Sequence, residues 1–133
     1  MIRAVADTHA VIWYIFNDSR LSSVARAVIE QAASAGDQIG VSSISLAEMI
    51  YLLERNRIPA DTLIRLKTAL EDSTSVLTEV PFDREVAFAM QQVDRAQVPE
   101  LPDRIVAATA FHLGVPAITR DHKIQASNIS TIW

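Results

Sequence analysis

The chain has 133 residues, of which half are apolar and 21% are charged, and its 16 acidic and 12 basic side chains give a net charge of -4. This size predicts one domain with its own core, residues 1–133. The acidic balance excludes a protein that coats nucleic acid in general. It does not exclude an anionic substrate, because bound cations would neutralise some of the carboxylates. The absence of cysteine excludes disulfides, thiolate zinc sites and cysteine nucleophiles.

The first stretch, Met1–Phe16, begins with a short apolar run that stops at Asp7. Ile2, Ala4, Val5 and Ala6 are few enough for a strand and too apolar to face water, which predicts a buried central strand of a parallel sheet. Asp7 would then lie at the carboxyl end of this strand, the edge at which open α/β sheets bind ligands. The same residue also suits the N-cap of a helix that begins at Thr8, so Asp7 alone leaves both roles open.

The predicted helix at 8–16 carries an excess of apolar side chains. Every residue at positions 11–16 is apolar, which is more than one core-facing side of a helix can use. Such a helix is either fully buried or meets another chain, and in a domain of this size contact with another chain is the more economical interpretation. Together with Met49, Leu52 and Leu53, this surface predicts a homodimer and a groove for a partner segment.

The rest of the chain alternates between strand and helix patterns, separated by turn residues. The predicted elements are a helix capped by Ser22 or Ser23 and running to Ser34, a strand at Gln38–Ser42, helices at about Ser45–Asn56 and Ala60–Glu71, a strand at Val76–Val80, a helix at Asp83–Val93, a helix at Arg104–Leu113 opened by Asp103 and ended by Gly114, and strands at Val115–Thr119 and Ile129–Trp133. This alternation predicts an α/β fold, with a parallel sheet of about five strands and helices on both faces.

The expected location is the cytoplasm. Asp7 and His9 interrupt the first apolar run, which is therefore not a signal peptide. No stretch is long enough to span a bilayer, and the lack of cysteine fits a reducing compartment.

Glu48 lies in an apolar part of its predicted helix. Its neighbours three and four residues away are Ile44, Ser45, Tyr51 and Leu52. No cation of the same helix can therefore pair with Glu48, and an ionised carboxylate in such surroundings is costly without a positive partner. A metal ion is the natural candidate, and the alternative is a side chain that reaches water past its neighbours.

Two more carboxylates occupy comparable places. Asp103 lies at the start of a predicted helix, and Asp121 follows the predicted strand at Val115–Thr119. With Asp7 and Glu48 they make a set of oxygen ligands without sulfur, which hard divalent cations prefer. The sequence therefore predicts a site for Mg²⁺ or Mn²⁺ rather than Zn²⁺.

Five segments, in this order and spacing, resemble the PIN-domain ribonucleases and, within them, the VapC-like toxins of bacterial toxin–antitoxin pairs. The segments are ADTHAVIW, VSSISLAEM, PDRIVAATA, ITRDHKI and the final Ile-Trp. The resemblance covers the whole chain and implies a parallel sheet whose first strand is central, with a magnesium or manganese pocket formed by Asp7, Glu48, Asp103 and Asp121. It also implies that Thr119 supports the last of these acids.

The function implied by this resemblance is a metal-dependent endoribonuclease that acts as a toxin. Metal held by the acids would activate water for in-line attack on an RNA phosphodiester. The implied protein partner is a cognate antitoxin, which places an arginine in the acidic pocket and builds a larger toxin–antitoxin assembly. Arg104, Arg120 and Lys123 are candidates for contacting the RNA backbone, although solvated cations near helix ends are the commoner reason for such residues.

Two rival interpretations are a phosphotransfer or receiver domain of the same sheet class and a non-catalytic PIN-like interaction module. The first needs a second acid beside its nucleophilic aspartate, and the sequence Asp7-Thr8-His9 lacks one. The second predicts the loss of at least one pocket acid, whereas all four are present. Divalent-metal binding separates the nuclease from the interaction module, which has no need of a metal.

Overall fold

The central feature of the fold is a parallel sheet of five strands. In the computed structural model, which describes residues 1–133, the strands are β1 (Ile2–Ala6), β2 (Gln38–Ser42), β3 (Leu77–Val80), β4 (Ala117–Ile118) and β5 (Thr131–Ile132). They pair in parallel in the order β3-β2-β1-β4-β5, which makes β1 the central strand. The predicted parallel sheet is therefore confirmed.

Seven α-helices connect the strands. They are α1 (Thr8–Ile15), α2 (Ser23–Ser34), α3 (Ser43–Glu54), α4 (Thr62–Glu71), α5 (Arg84–Ala89), α6 (Leu101–Leu113) and α7 (His122–Gln125), with one 3-10 turn at Met90–Gln92 after α5. No helix is both long enough and apolar enough to cross a membrane.

The two faces of the sheet support separate cores. Successive side chains of a strand point to opposite faces, so Ala4 and Ala6 of β1 pack with α1, α2 and α4, whereas Val5 packs with α5 and α6. Both sets are almost completely buried. The predicted helices on both faces are therefore confirmed.

Several helix boundaries differ from those predicted, and one short helix was not predicted. The helix that carries Asp103 begins at Leu101, so Asp103 lies in its first turn and is not its cap as predicted. The sequence pattern favours a loop at Pro102, but the first turn of a helix tolerates proline because its N–H groups have no partner in the helix. Helix α3 begins at Ser43 and is capped by Ser42, and α7 was missed because four residues are too few to show a helical period.

Much of the apolar excess of α1 is explained by packing within the chain. Val11 is completely buried and Trp13 is only 4% exposed, while the residues at 14–16 are half-buried against the same core. The reason is that α3 and α4 of the same chain pack against α1. Met49 is also completely buried, and the exposed apolar side chains of α3 are Ile50 and Tyr51.

Candidate active site

All four predicted acids face one cavity. Parallel strands place their carboxyl ends at one edge of the sheet, and Asp7 follows β1 there while Asp121 lies just beyond β4. Glu48 comes from α3 and Asp103 from the first turn of α6. The cavity measures about 280 Å³, and its lining residues are Asp7, Thr8, His9, Trp13, Glu48, Asp103, Arg120 and Asp121.

Asp7 is held firmly by both of its carboxylate oxygens. It caps α1, because Oδ1 accepts a hydrogen bond from the amide of Ala10 at 2.9 Å, and Oδ2 accepts one from the hydroxyl of Thr119. Burial raises the pKa of Asp7 above its ordinary value, although the hydrogen bond from Thr119 opposes this rise. Asp7 is thus both an N-cap and a member of the acidic cavity, so the two roles that the sequence left open are compatible.

Thr119 connects two of the acids. Its buried hydroxyl donates to Asp7 and accepts from the amide of Asp121 at 3.0 Å. Asp121 in turn caps α7, where its Oδ1 accepts from the amides of Lys123 and Ile124, both at 2.9 Å. One buried hydroxyl therefore fixes the positions of two carboxylate-bearing segments.

Glu48 has partners that the sequence did not indicate. The hydroxyl of Thr8 donates to Oε1 of Glu48 at 2.5 Å and lies 2.9 Å from the buried hydroxyl of Ser45. Thr8 and Glu48 are 40 residues apart, and no local pattern links them. These hydroxyls hold the carboxylate at the cavity without neutralising its charge.

Asp103 is the least restrained of the four. No hydrogen bond lowers its pKa, which is raised to about 7 by burial first and then by the charges of Asp121, Glu48, Asp7 and Glu100. Like charges raise a carboxyl pKa only when they are near. The three other cavity acids therefore act directly on Asp103, and the cluster in the absence of metal is electrostatically strained.

The candidate RNA-contacting cations have different surroundings. Arg104 is occupied within the protein, because Nε donates to the carbonyl of Val93 at 3.0 Å and Nη2 to the carbonyl of Met90 at 2.8 Å. Lys123 is exposed on α7 but does not line the cavity. Arg120 does line the cavity, with its guanidinium over the ring of Trp13. Sequence patterns gave no reason to place Trp13 there.

The donor set suits a hard divalent cation, but its present arrangement does not enclose one. All of the acidic donors in the cavity are carboxylate oxygens, which Mg²⁺ and Mn²⁺ prefer. No three or more acidic or imidazole side chains converge closely enough to hold a metal ion. Asp103, which no hydrogen bond ties down, is the side chain best able to turn towards a cation.

Comparisons with known proteins agree on one family. The family model for the PIN domain matches residues 4–128. Ribonuclease VapC22 of Mycobacterium tuberculosis (strain ATCC 25618 / H37Rv) is similar over 136 aligned residues, with 26% identity and full coverage of both chains.

Solved structures with the same fold include members of toxin–antitoxin complexes. A chain of VapBC2 from Rickettsia felis, bound to a promoter DNA fragment, has a TM-score of 0.70 at 18% identity, covering 98% of this chain and 97% of that one. A chain of a toxin–antitoxin complex from Klebsiella pneumoniae has a TM-score of 0.68 at 23% identity, covering 98% and 96%. A chain of DNA-bound VapBC from Salmonella typhimurium has a TM-score of 0.70 at 22% identity, covering 98% and 97%.

Proposed function

The chain belongs to the PIN-domain family, and from this premise we propose that it is a divalent-metal-dependent endoribonuclease that acts as the toxin of a toxin–antitoxin pair. The observation that carries the proposal is the meeting of Asp7, Glu48, Asp103 and Asp121 on one cavity. Carboxylates brought together without an internal cation repel one another. Such an arrangement is understandable where a bound cation completes the site.

The proposed roles follow from how each acid is held. Asp7 and Asp121 are fixed ligands, because helix amides and the hydroxyl of Thr119 orient both of them. Glu48 is oriented by Thr8, and Asp103, which lines the same cavity, would be the fourth ligand. The chemistry supplied by Mg²⁺ or Mn²⁺ bound here is activation of water and neutralisation of charge on the phosphate under attack.

The proposed reaction is hydrolysis of an RNA phosphodiester, in which water adds across a phosphorus–oxygen bond. The acids of the chain would hold the metal. No side chain of the cavity has to serve as a separate general base, because a metal can activate the water directly. His9 lines the cavity and is exposed, and we give it no proton-transfer role.

The proposed protein partner is an antitoxin. The structurally similar chains come from complexes that contain one, and the acidic cavity would accept a cationic side chain from such a partner. A homodimer also remains a proposal, which now rests on the exposed Ile50 and Tyr51 of α3 and no longer on α1. Light scattering that shows only monomers at micromolar concentration would count against the dimer.

The test of the proposed function is cleavage of single-stranded RNA by purified protein in Mg²⁺ or Mn²⁺ and in chelator. Cleavage is expected with metal only. Calorimetry on the same samples should show binding of the metal alone, which a non-catalytic module would not need. Equal RNA stability with and without protein, in the presence of bound metal, would overturn the nuclease assignment.

A further inference from the structure

Arg120 borders the acidic cavity without pairing with its acids. It lines the same cavity as the four carboxylates, yet none of the five ion pairs of the chain includes it. A guanidinium so close to carboxylates would ordinarily form bidentate pairs with them. Arg120 is therefore held at the cavity by a different contact.

Trp13 provides that restraint. The guanidinium carbon of Arg120 lies 4.5 Å from the centroid of the Trp13 ring, within the range of a cation–π contact. The ring is itself packed into the core, because Trp13 is only 4% exposed and lies edge-on against Trp133 with 5.9 Å between ring centroids. The guanidinium of Arg120 thus contacts Trp13 through its flat face, and the N–H groups at its edge have no protein partner.

A second arginine on the same ring provides an internal comparison. The guanidinium of Arg20 lies 5.2 Å from the Trp13 ring, but Asp18 neutralises it through two side-chain hydrogen bonds at 2.7 and 3.1 Å. Arg120 donates to no protein group and has no such acid. Of the two cations on Trp13, only Arg120 offers its charge and donors to the cavity.

We infer that Arg120 binds the phosphate that is cleaved, and that Trp13 is the positioning residue that presents it. This inference rests on the proposed function, because it names the group that receives the substrate at the same site. An RNA phosphate approaching four carboxylates is repelled unless positive charge faces it. The planar fork of an arginine matches phosphate oxygens, and an arginine held beside the acids leaves them free for the metal.

Arg120 takes part in hydrolysis as a fixed charge. Arginine stays protonated under all conditions of the reaction, so Arg120 neither gives nor accepts a proton while water adds across the phosphorus–oxygen bond. Its N–H groups hold phosphate oxygens and balance the negative charge that grows on them. A purely structural Arg120 would instead contribute only its contact with Trp13.

The test uses RNA binding as well as cleavage. The binding probe is a short fluorescein-labelled single strand with 2′-O-methyl riboses, followed by anisotropy in Mg²⁺. Arg120→Gln should weaken binding of this probe about 10- to 100-fold, the usual loss for a charged hydrogen bond. It should lower kcat/KM on unmodified RNA by at least as much and leave the metal-induced rise in melting temperature unchanged.

The salt dependence of probe binding distinguishes a phosphate contact from a structural role, which would leave it unchanged. Loss of one phosphate contact should reduce the slope of log binding constant against log salt by roughly 0.7 for a single strand. Arg120→Lys should recover part of the affinity, because lysine keeps the charge but not the planar fork. Arg84→Gln, which removes an exposed cation away from the cavity, is the matched control and should change neither quantity.

Trp13 is tested through its coupling to Arg120. Trp13→Phe keeps an aromatic face and should bind the probe nearly as wild type, whereas Trp13→Leu should lose affinity. Because both residues are proposed to act through one contact, adding Trp13→Leu to the Arg120→Gln variant should lower the affinity for the probe little further. Wild-type protein that neither binds nor cleaves RNA would overturn the proposed function and this inference together. If the wild type cleaves RNA but Arg120→Gln binds the probe as tightly as the wild type, only this inference is overturned.

Discussion

The hydroxyl of Thr119 donates a hydrogen bond to Oδ2 of Asp7, although the two residues are 112 positions apart in the chain. The same hydroxyl accepts from the amide of Asp121. β1 and β4 are neighbours in the sheet, and this side-chain contact extends their pairing beyond the last backbone hydrogen bonds. The geometry of the cavity therefore depends on a group that carries no charge.

Thr119→Val should destabilise the protein and weaken its metal binding. Valine has nearly the same shape but leaves the Asp7 carboxylate and the Asp121 amide without their shared partner, at a cost of roughly 1–3 kcal/mol in the free energy of unfolding. Urea denaturation with chelator measures the stability, and calorimetry measures the affinity for Mg²⁺. Thr119→Ser keeps the hydroxyl and should restore most of both. Equal stability of the valine variant and the wild type would contradict this role.

The stability of the metal-free protein should fall as pH rises through the titration of Asp103. Its pKa in the folded protein is about 7, above the value near 3.9 of an unfolded aspartate. The folded state therefore binds more protons between these values, and its stability declines from about pH 4 to about pH 7. Melting curves recorded in chelator across this range should show the decline.

Asp103→Asn should remove this decline. At pH 8 the variant should be more stable than the metal-free wild type by an amount of the order of 1 kcal/mol, since solvent screens part of the repulsion at a partly exposed side chain. Added Mg²⁺ should raise the melting temperature of the wild type by mass action and that of the variant much less. Identical curves for both proteins, with and without metal, would mean that the acids do not share a site.

Asp7→Asn and Asp103→Asn should each abolish RNA cleavage, with losses of at least about 100-fold, because each removes a charged ligand of the proposed metal. The same substitutions should relieve growth inhibition when the protein is expressed in cells. The control is Glu30→Gln, which replaces the carboxylate of an exposed residue of α2 by an amide. This variant should cleave RNA at the wild-type rate. Cleavage at the wild-type rate by either aspartate variant would show that the assigned site is wrong.

Gly40→Ala should destabilise the sheet. A Cβ atom at Gly40 of β2 would lie 2.9 Å from Cγ2 of Val80 and 3.4 Å from Cγ2 of Val5. Both neighbours are short branched side chains of adjacent strands, so relief of the contact requires a new valine rotamer or a shift of the strands, at about 1–3 kcal/mol. Urea denaturation measures the loss. Ser34→Ala, at the exposed end of α2, is the control and should stay within about 0.5 kcal/mol of wild type.

Residues whose role depends on local pattern were predictable from the sequence. The apolar run that ends at Asp7 predicts the central strand, and the lack of a helical cation near Glu48 indicates an unusual carboxylate. The resulting grouping of four acids agrees with the single cavity that they line. Their binding of metal is still a prediction.

Features that depend on distant contacts were not predictable. The apolar side chains of α1 suggested a second protein because nothing local shows that α3 and α4 cover them. The bond between Thr8 and Glu48 and the contact between Trp13 and Arg120 join separate elements. A short helix such as α7 is specified by its Asp121 cap and not by any periodicity.

The position of β1 in the sheet sets the order in which the molecule can be completed during translation. β1 leaves the ribosome before its neighbour β4, which lies more than a hundred residues later in the chain. Until residue 121 has been made, the nascent chain lacks one wall of the cavity, and Asp7 lacks Thr119. A nascent chain that ends before Thr119 therefore lacks part of the site to which the proposed nuclease activity is assigned.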